Sequence, residues 1–248
     1  MFSLSLVGQS TKPNTRFLPK GLAIVYEDRD LLIVDKPAGL LTIATDSEKS
    51  KTAYASLTDY VKKGSIRSPH RIFIVHRLDR DTSGILIFAK TEIAKVNLQE
   101  NWDQTFKKYI AVTHGIWKKK EGRIESYLTE NKAQVVYSTK DPSLGKLSRT
   151  EYKVLKETDK YSLLEVNLLT GRKNQIRVHF AEEKHPIVGD AKYGEMQRRF
   201  QRMALHSYSI SFKHPFSGKE MFFETEIPSF LTGLVGGYEH HSVSETIR

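Results

Sequence analysis

Cysteine is absent from all 248 residues. That excludes disulfides, thiolate metal sites and cysteine nucleophiles together, and leaves no pointer to an oxidising compartment. No apolar run approaches the roughly 20 residues that a bilayer-spanning helix needs. The opening MFSLSLVGQSTKP holds a short apolar stretch, but no basic segment precedes it and it is too brief for a secretory signal. A cytoplasmic protein is therefore expected. A Gly-rich phosphate loop, a histidine cluster, internal repeats and low-complexity blocks are also missing.

What the chain does have is positive charge. It carries 39 Lys and Arg against 29 Asp and Glu, a formal charge of +10. Such a balance favours polyanionic partners, nucleic acid ahead of acidic membrane. Hydrophobic residues make up 39%, enough to bury a core and to exclude wholesale disorder.

Residues 1–20, with Lys12, Arg16 and Lys20, read as an irregular arm. Ala23–Tyr26 and Leu31–Val34 flank the charged turn EDRD and predict a hairpin, ended by the turn residues Lys36-Pro37-Ala38-Gly39. Tyr54, Leu57 and Val61 predict a helix over Thr52–Lys62. ILIFAK reads as a buried strand. TEIAKVNLQENWDQ reads as a helix with Thr91 as N-cap, and KKYIAVTHGIW as a strand. Residues 121–149 are polar and broken by Gly and Pro, which predicts two short strands with long loops forming a mobile rim. EYKVLK and SLLEVNLL suggest another hairpin. Ile176, His179 and Phe180 predict a helix opening at Gly171. SYSISF and MFFETEI close a hairpin over HPFSGK. The tail from residue 233 lacks core periodicity and is expected to be loose. One α+β domain over residues 21–232, a mixed and mostly antiparallel β-sheet flanked by helices and loops, is the economical reading.

The stretch HRLDRDTSGILIFAK holds the densest chemistry. A charged turn capping a strand accounts for DTSG. It does not account for Asp79, flanked by Arg77 and Arg80 just ahead of a core strand. A carboxylate among fixed cations stays ionised even when partly desolvated, and at a pocket wall it can act as nucleophile or general base. The local residues leave both readings open.

The same stretch resembles the central motif of RNA pseudouridine synthases of the RluA type, in the HRLD form rather than the GRLD form of the RsuA branch. LLIVDKPAGL resembles that family's first motif, KKYIAVTHG its Lys-x-Tyr-x-Ala strand, and LLTGRKNQIRVHFA its Thr-Gly-Arg-x-x-Gln-Ile-Arg-x-His helix. HPIVGDAKYG and ALHSYSISFKHPFSG are similar to its last two blocks. The blocks run in family order from about residue 22 to about 230. Asp35 stands where the family usually has Asn, Lys173-Asn174 where it has Thr-His, and LTIAT follows PAGL without the common histidine.

The resemblance implies a pseudouridine synthase fold and the isomerisation of uridine in structured RNA, ribosomal or transfer RNA or both, with no cofactor and no metal. It implies Asp79 as the catalytic aspartate, Arg177 as its partner, and Tyr109 as the ring against the target base. Arg77 is implied to fill the space left by an extruded nucleotide. Arg80, Arg172 and Lys173 are further expected RNA contacts, and His76 is either a structural hydrogen-bonding group or another such contact. Other basic clusters expected on an RNA face are Lys107 and Lys108, Lys118–Lys120, and Arg198, Arg199 and Arg202. A monomer is the default. Two other readings carry different consequences: a catalytically silent RNA-binding protein on the same scaffold, and a ribonuclease using His76 and His179.

Overall fold

The computed structural model describes residues 15–46, 48–194 and 202–239. The N-terminal hairpin forms where the charge pattern predicts it. Asp28 Oδ1 accepts the backbone N–H groups of Asp30 (2.8 Å) and Leu31 (2.7 Å), an Asx-type turn that closes the chain on itself. It joins β1 (Ala23–Glu27) to β2 (Leu31–Lys36). β2 then pairs antiparallel with β4 (Ser83–Ala89), in register from Leu31↔Ala89 to Lys36↔Gly84.

Further along the chain come β5 (Phe106–His114), β6 (Glu121–Glu130), β7 (Val136–Thr139), β8 (Lys146–Glu157), β9 (Tyr161–Leu168), β10 (Leu205–Lys213) and β11 (Glu220–Glu224). One sheet takes all of them, in the order β1-β2-β4-β10-β5-β9-β8-β6-β7, with β11 on β10 and the two-residue β3 (Phe73–Ile74) on β4. Every ladder is antiparallel except β4 with β10, which run parallel over His206↔Ser83 and Ser207↔Gly84. The fold is α+β, on a mixed and mostly antiparallel sheet.

Strand periodicity divides the core between two faces. On β2 and β4, Leu32, Val34, Leu86 and Phe88 join one cluster, and Leu31, Ile33, Ile85 and Ile87 the other. Helix α1 (Ala53–Lys62) covers the first face with Ala53, Leu57 and Val61. Helix α2 (Glu92–Glu100) covers the second with Ala94 and Leu98. The sequence signals for both helix starts hold: Thr52 and Thr91 accept the backbone N–H of Ala55 and Ala94, the usual N-cap bond.

Four expectations need correction. Residues 121–149 are not short strands on long loops: β6 spans ten residues and β8 twelve. Their polarity belongs to one exposed face, where charges pair across strands, Arg123 with Glu151 and Arg149 with Glu125 at 2.7 Å. Helix α3 (Gln175–Glu182) opens four residues later than Gly171. The tail from residue 233 is packed at its start: Val235 is buried, and Leu234 and Tyr238 lie against the core. Leu18 of the expected arm does the same. Arg198, Arg199 and residues 240–248 lie outside the described residues, as do residues 1–14.

Candidate active site

The parallel junction of β4 and β10 fixes the site. It admits only glycine at position 84, where φ is +107° and a Cβ would stand 2.2 Å from the Ser207 carbonyl oxygen. Beside it, Ser83 Oγ meets His206 Nδ1 (2.8 Å) and His206 Nε2 meets Thr225 Oγ1 (2.9 Å). Burial depresses this imidazole to about 4, so it is a neutral strut at neutral pH. On the same edge of β4, β10 pairs near one end and β3 near the other. Between them the backbone N–H of Ile87 donates to His76 Nε2 (3.0 Å), so a histidine side chain completes the ladder where no strand reaches.

The HRLD segment crosses this junction and is held from below. Lys36 is fully buried, and its Nζ donates to the carbonyls of Pro37 (3.0 Å), Leu40 (2.7 Å) and Arg80 (3.1 Å). Burial lowers its pKa to about 8, opposed by Asp81, Asp79 and Asp35. Thr42 both donates to the Leu78 carbonyl (2.8 Å) and accepts the Leu78 N–H (3.2 Å). With Leu78 anchored on both sides, Asp79 projects into a cavity of about 500 Å³.

The opposite wall comes from α3. Gln175, buried, accepts from Thr170 Oγ1 (2.8 Å) and the Arg172 N–H (3.0 Å), and donates to the Arg149 carbonyl and Thr150 Oγ1 at 2.9 Å each. This pins the helix start to β8 and frees residues 171–174 to line the cavity. Asn174 sits in the left-handed region at φ 54°, which asparagine tolerates better than most residues.

Arg177 joins the walls. Its Nε and NH2 donate to the two carboxylate oxygens of Asp190 (2.7 and 2.8 Å), and its NH1 to Asp79 Oδ2 (2.8 Å). Asp190 is buried and also accepts the backbone N–H groups of Lys192 (2.9 Å) and Tyr193 (3.1 Å). Burial alone would raise the Asp190 carboxyl, but the guanidinium and these amides hold it below its ordinary value. Burial likewise works against the charge on Arg177, and its hydrogen bonds with Asp190 and then Asp79 outweigh it. Asn174 Nδ2 adds a second donor to Asp79 Oδ2 (2.6 Å). Both donors take the same oxygen, and Oδ1 accepts no hydrogen bond from the described residues. One half of the carboxylate is thus fixed while the other faces the cavity.

Tyr109, on β5, lines the same cavity. Burial pushes its phenol up to about 12, with Ser207 working against the shift and Asp79 adding to it, so the hydroxyl keeps its proton at neutral pH. His76, Arg77, Arg172 and Lys173 also line the cavity; Arg80 does not. Lys173 pairs with Glu130, Lys120 with Glu157, and Lys108 with Glu165 at 3.2 Å. These surface cations are partly committed to neighbouring strands. Lys107 is no surface cation: it is buried in the cavity wall against Trp102. His179 is buried with both ring nitrogens engaged, by Thr150 and Ser126, and burial lowers it to about 4. His76 is lowered to about 3 by burial and, less, by Lys107, so the ribonuclease pair has no member suited to acid catalysis near pH 7. Among the described residues, no cluster of His, Asp or Glu could hold a metal ion, and no helix is long and apolar enough to cross a membrane.

Sequence reasoning missed Lys36, Trp102, Asp190 and Tyr193, and did not foresee Asn174 on Asp79. Lys36, Asp190 and Tyr193 fall inside blocks quoted for the resemblance, which was the only available signal. Trp102 had none.

The family model for RNA pseudouridylate synthase matches residues 30–182, more than half of the chain. An uncharacterized RNA pseudouridine synthase of Aquifex aeolicus is 35% identical over 235 residues, covering 88% of this chain and 73% of the relative. Ribosomal large subunit pseudouridine synthase D of Neisseria meningitidis is 35% identical, covering 91% of this chain and 64% of the relative. The solved structure of human RNA pseudouridylate synthase domain containing 1 superposes with a TM-score of 0.69 at 26% identity, covering 91% of each chain. Matching motif order, a shared sheet and this breadth of similarity place the chain in the RNA pseudouridine synthase family, RluA type, and make it an enzyme that isomerises uridine in RNA.

Proposed function

We propose that the chain converts specific uridines of structured RNA in the cytoplasm, with Asp79 as the reacting carboxylate and with Tyr109 and Arg177 as its partners. Ribosomal RNA is the first candidate substrate, in line with the name of the Neisseria relative, and transfer RNA the second. The observation that carries this reading is the half-engaged carboxylate: Arg177 and Asn174 hold Asp79 Oδ2, and Oδ1 faces a cavity shared with Tyr109.

The reaction breaks N1–C1′, turns the uracil, and forms C5–C1′; C5 loses its proton to solvent and N1 gains one. No electrons are exchanged. Asp79 serves either by attacking the sugar or base covalently or by deprotonating the sugar, and both routes need an ionised, oriented oxygen. Arg177 supplies the orientation, since its other face is locked to Asp190 and it cannot swing away. Tyr109 packs on the base and, as a protonated phenol, presents a donor to a polar edge. Reaching this cavity requires a nucleotide to leave its stack at a cost of a few kcal/mol. Arg77, exposed and two residues from Asp79, is suited to fill the vacated space, because a planar guanidinium stacks on bases. His76, Arg80, Arg172 and Lys173 complete the proposed RNA contacts; His76 contributes through the ring face, since its Nε2 is occupied. The catalytic unit is proposed to be built on residues 21–232, with Leu18 and Val235 packed onto its core from either end, and to act as a monomer.

RNA carrying tritium at uridine C5 tests the reading. The expected result is release of label into water with RNA length unchanged. Binding without release would favour the silent RNA-binding protein, and shortened RNA a nuclease.

A further inference from the structure

Three Lys or Arg residues are buried among the described residues: Lys36, Lys107 and Arg177. Two are saturated. Arg177 meets two carboxylates, and the Lys36 ammonium spends its three N–H groups on three carbonyls. Lys107 is different. It is only 8% exposed, yet its Nζ finds one acceptor, the Trp102 carbonyl at 3.2 Å, and no carboxylate within ion-pair distance. The Asp103 carboxylate favours its charge electrostatically without forming an ion pair with it. Lys107 Nζ lies 5.2 Å from the centroid of the Trp102 ring, and beside it stands His76, whose Nε2 already accepts the Ile87 N–H. Trp102 itself has an idle donor: its indole Nε1–H bonds to none of the described residues. That atom faces the loop at Gly171, where an added Cβ would come within 3.8 Å of it.

Both side chains line the cavity that holds Asp79 and Tyr109. An ammonium buried without an ion pair is costly, and the cost has a purpose if the pairing anion arrives with the substrate. Burial has lowered the Lys107 pKa to about 8, and the charge of Asp103 offsets this only in part. A cavity of about 500 Å³ is also larger than one flat six-membered ring needs. The ligand chemistry that matches an ammonium and an indole N–H together is an oxyanion with several acceptor oxygens.

We propose that Lys107 and the Trp102 indole N–H form a phosphate subsite inside the cavity, which grips a backbone phosphodiester beside the target uridine once that nucleotide has left its stack. This rests on the reading of the cavity as a uridine site. It divides the cations into two classes. Arg172 and Lys173 meet the RNA at the cavity mouth, whereas Lys107 is reached only by an extruded nucleotide.

The test compares binding and tritium release for the unmodified protein, Lys107→Gln, Lys107→Arg and Trp102→Phe. The RNA is a synthetic hairpin around the modified uridine, with a neutral methylphosphonate placed at each flanking linkage in turn. One linkage should weaken binding to the unmodified protein and leave Lys107→Gln indifferent, with a smaller loss for Trp102→Phe. Lys107→Gln should also lower the slope of log affinity against log salt by one phosphate contact, about 0.7 to 0.9, while Lys107→Arg keeps it. A merely structural lysine would not move either readout. An unchanged salt slope in Lys107→Gln, or a linkage sensitivity equal to that of the unmodified protein, would overturn the subsite. So would an unmodified protein indifferent to every flanking linkage, even if the glutamine variant does not fold. Absence of tritium release from the unmodified protein would instead sink the functional reading, since the linkage comparison is made on binding alone.

Discussion

The two walls of the cavity treat charge in opposite ways. On the α3 wall the buried charges are answered: Arg177 has Asp190 and Asp79, and Asp190 has a guanidinium and two backbone amides. On the α2–β5 wall Lys107 has one carbonyl and the face of an indole. The answered wall is a device for holding one carboxylate oxygen still, and it is complete before any RNA arrives. The unanswered wall is incomplete until a ligand supplies what it lacks. Preorganisation and binding are thus built from the same residue types, separated by how many partners each cation already has.

That contrast can be broken experimentally. The largest effect is expected from Asp190→Ala, which leaves the buried Arg177 with Asp79 alone; losing one partner of a buried pair costs about 3–5 kcal/mol, read as a drop in the denaturation midpoint, together with loss of tritium release. Next, Gly84→Ala should destabilise by roughly 2 kcal/mol or more, because a Cβ would stand 2.2 Å from the Ser207 carbonyl oxygen at a φ of +107°; a midpoint equal to that of the unmodified protein would mean the β4–β10 contact is looser than described. Lys107→Met should act in the other direction, raising stability by on the order of 1 kcal/mol at neutral pH while weakening RNA binding.

The sign follows from linkage. The folded-state pKa of Lys107 lies near 8, below the ordinary 10.5, so between those values the unfolded chain binds more protons. The stability penalty is full below about pH 8 and is relieved as pH rises toward 10.5. Lys36 behaves alike. Unfolding midpoints of the unmodified protein should therefore rise between pH 8 and 10, and rise less in Lys107→Met. The smallest effect belongs to the exposed pair Lys173 and Glu130: Glu130→Gln should change stability by less than about 1 kcal/mol.

Local signals made most of the scaffold legible in the sequence. Tyr54, Leu57 and Val61 announced one helix by their spacing and Thr91 another because an N-cap works within one turn, and the apolar runs on either side of EDRD announced a hairpin. Asp79, Tyr109 and Arg177 were legible through motif resemblance, and they do share one cavity. Residues 121–149 misled because exposed cross-strand pairs such as Arg123 and Glu151 look like loop composition until their partner strand is known. The start of α3 misled because Gln175, not a standard cap, anchors it, through bonds to β8 some 25 positions earlier. The Asn174 half of the clamp was invisible: Asn174 lies 95 positions from Asp79, and such contacts have no local signature. Lys107 was read as a surface cation because composition cannot show that a tryptophan five residues earlier covers it.

The central claim is that the free oxygen of a clamped Asp79 does the chemistry. Single-turnover tritium release with Asp79→Asn tests it most directly, because asparagine keeps the shape and an acceptor for Arg177. The account predicts a fall of at least about 10⁴-fold with RNA binding and the thermal midpoint nearly unchanged. Release within tenfold of the unmodified protein would contradict it.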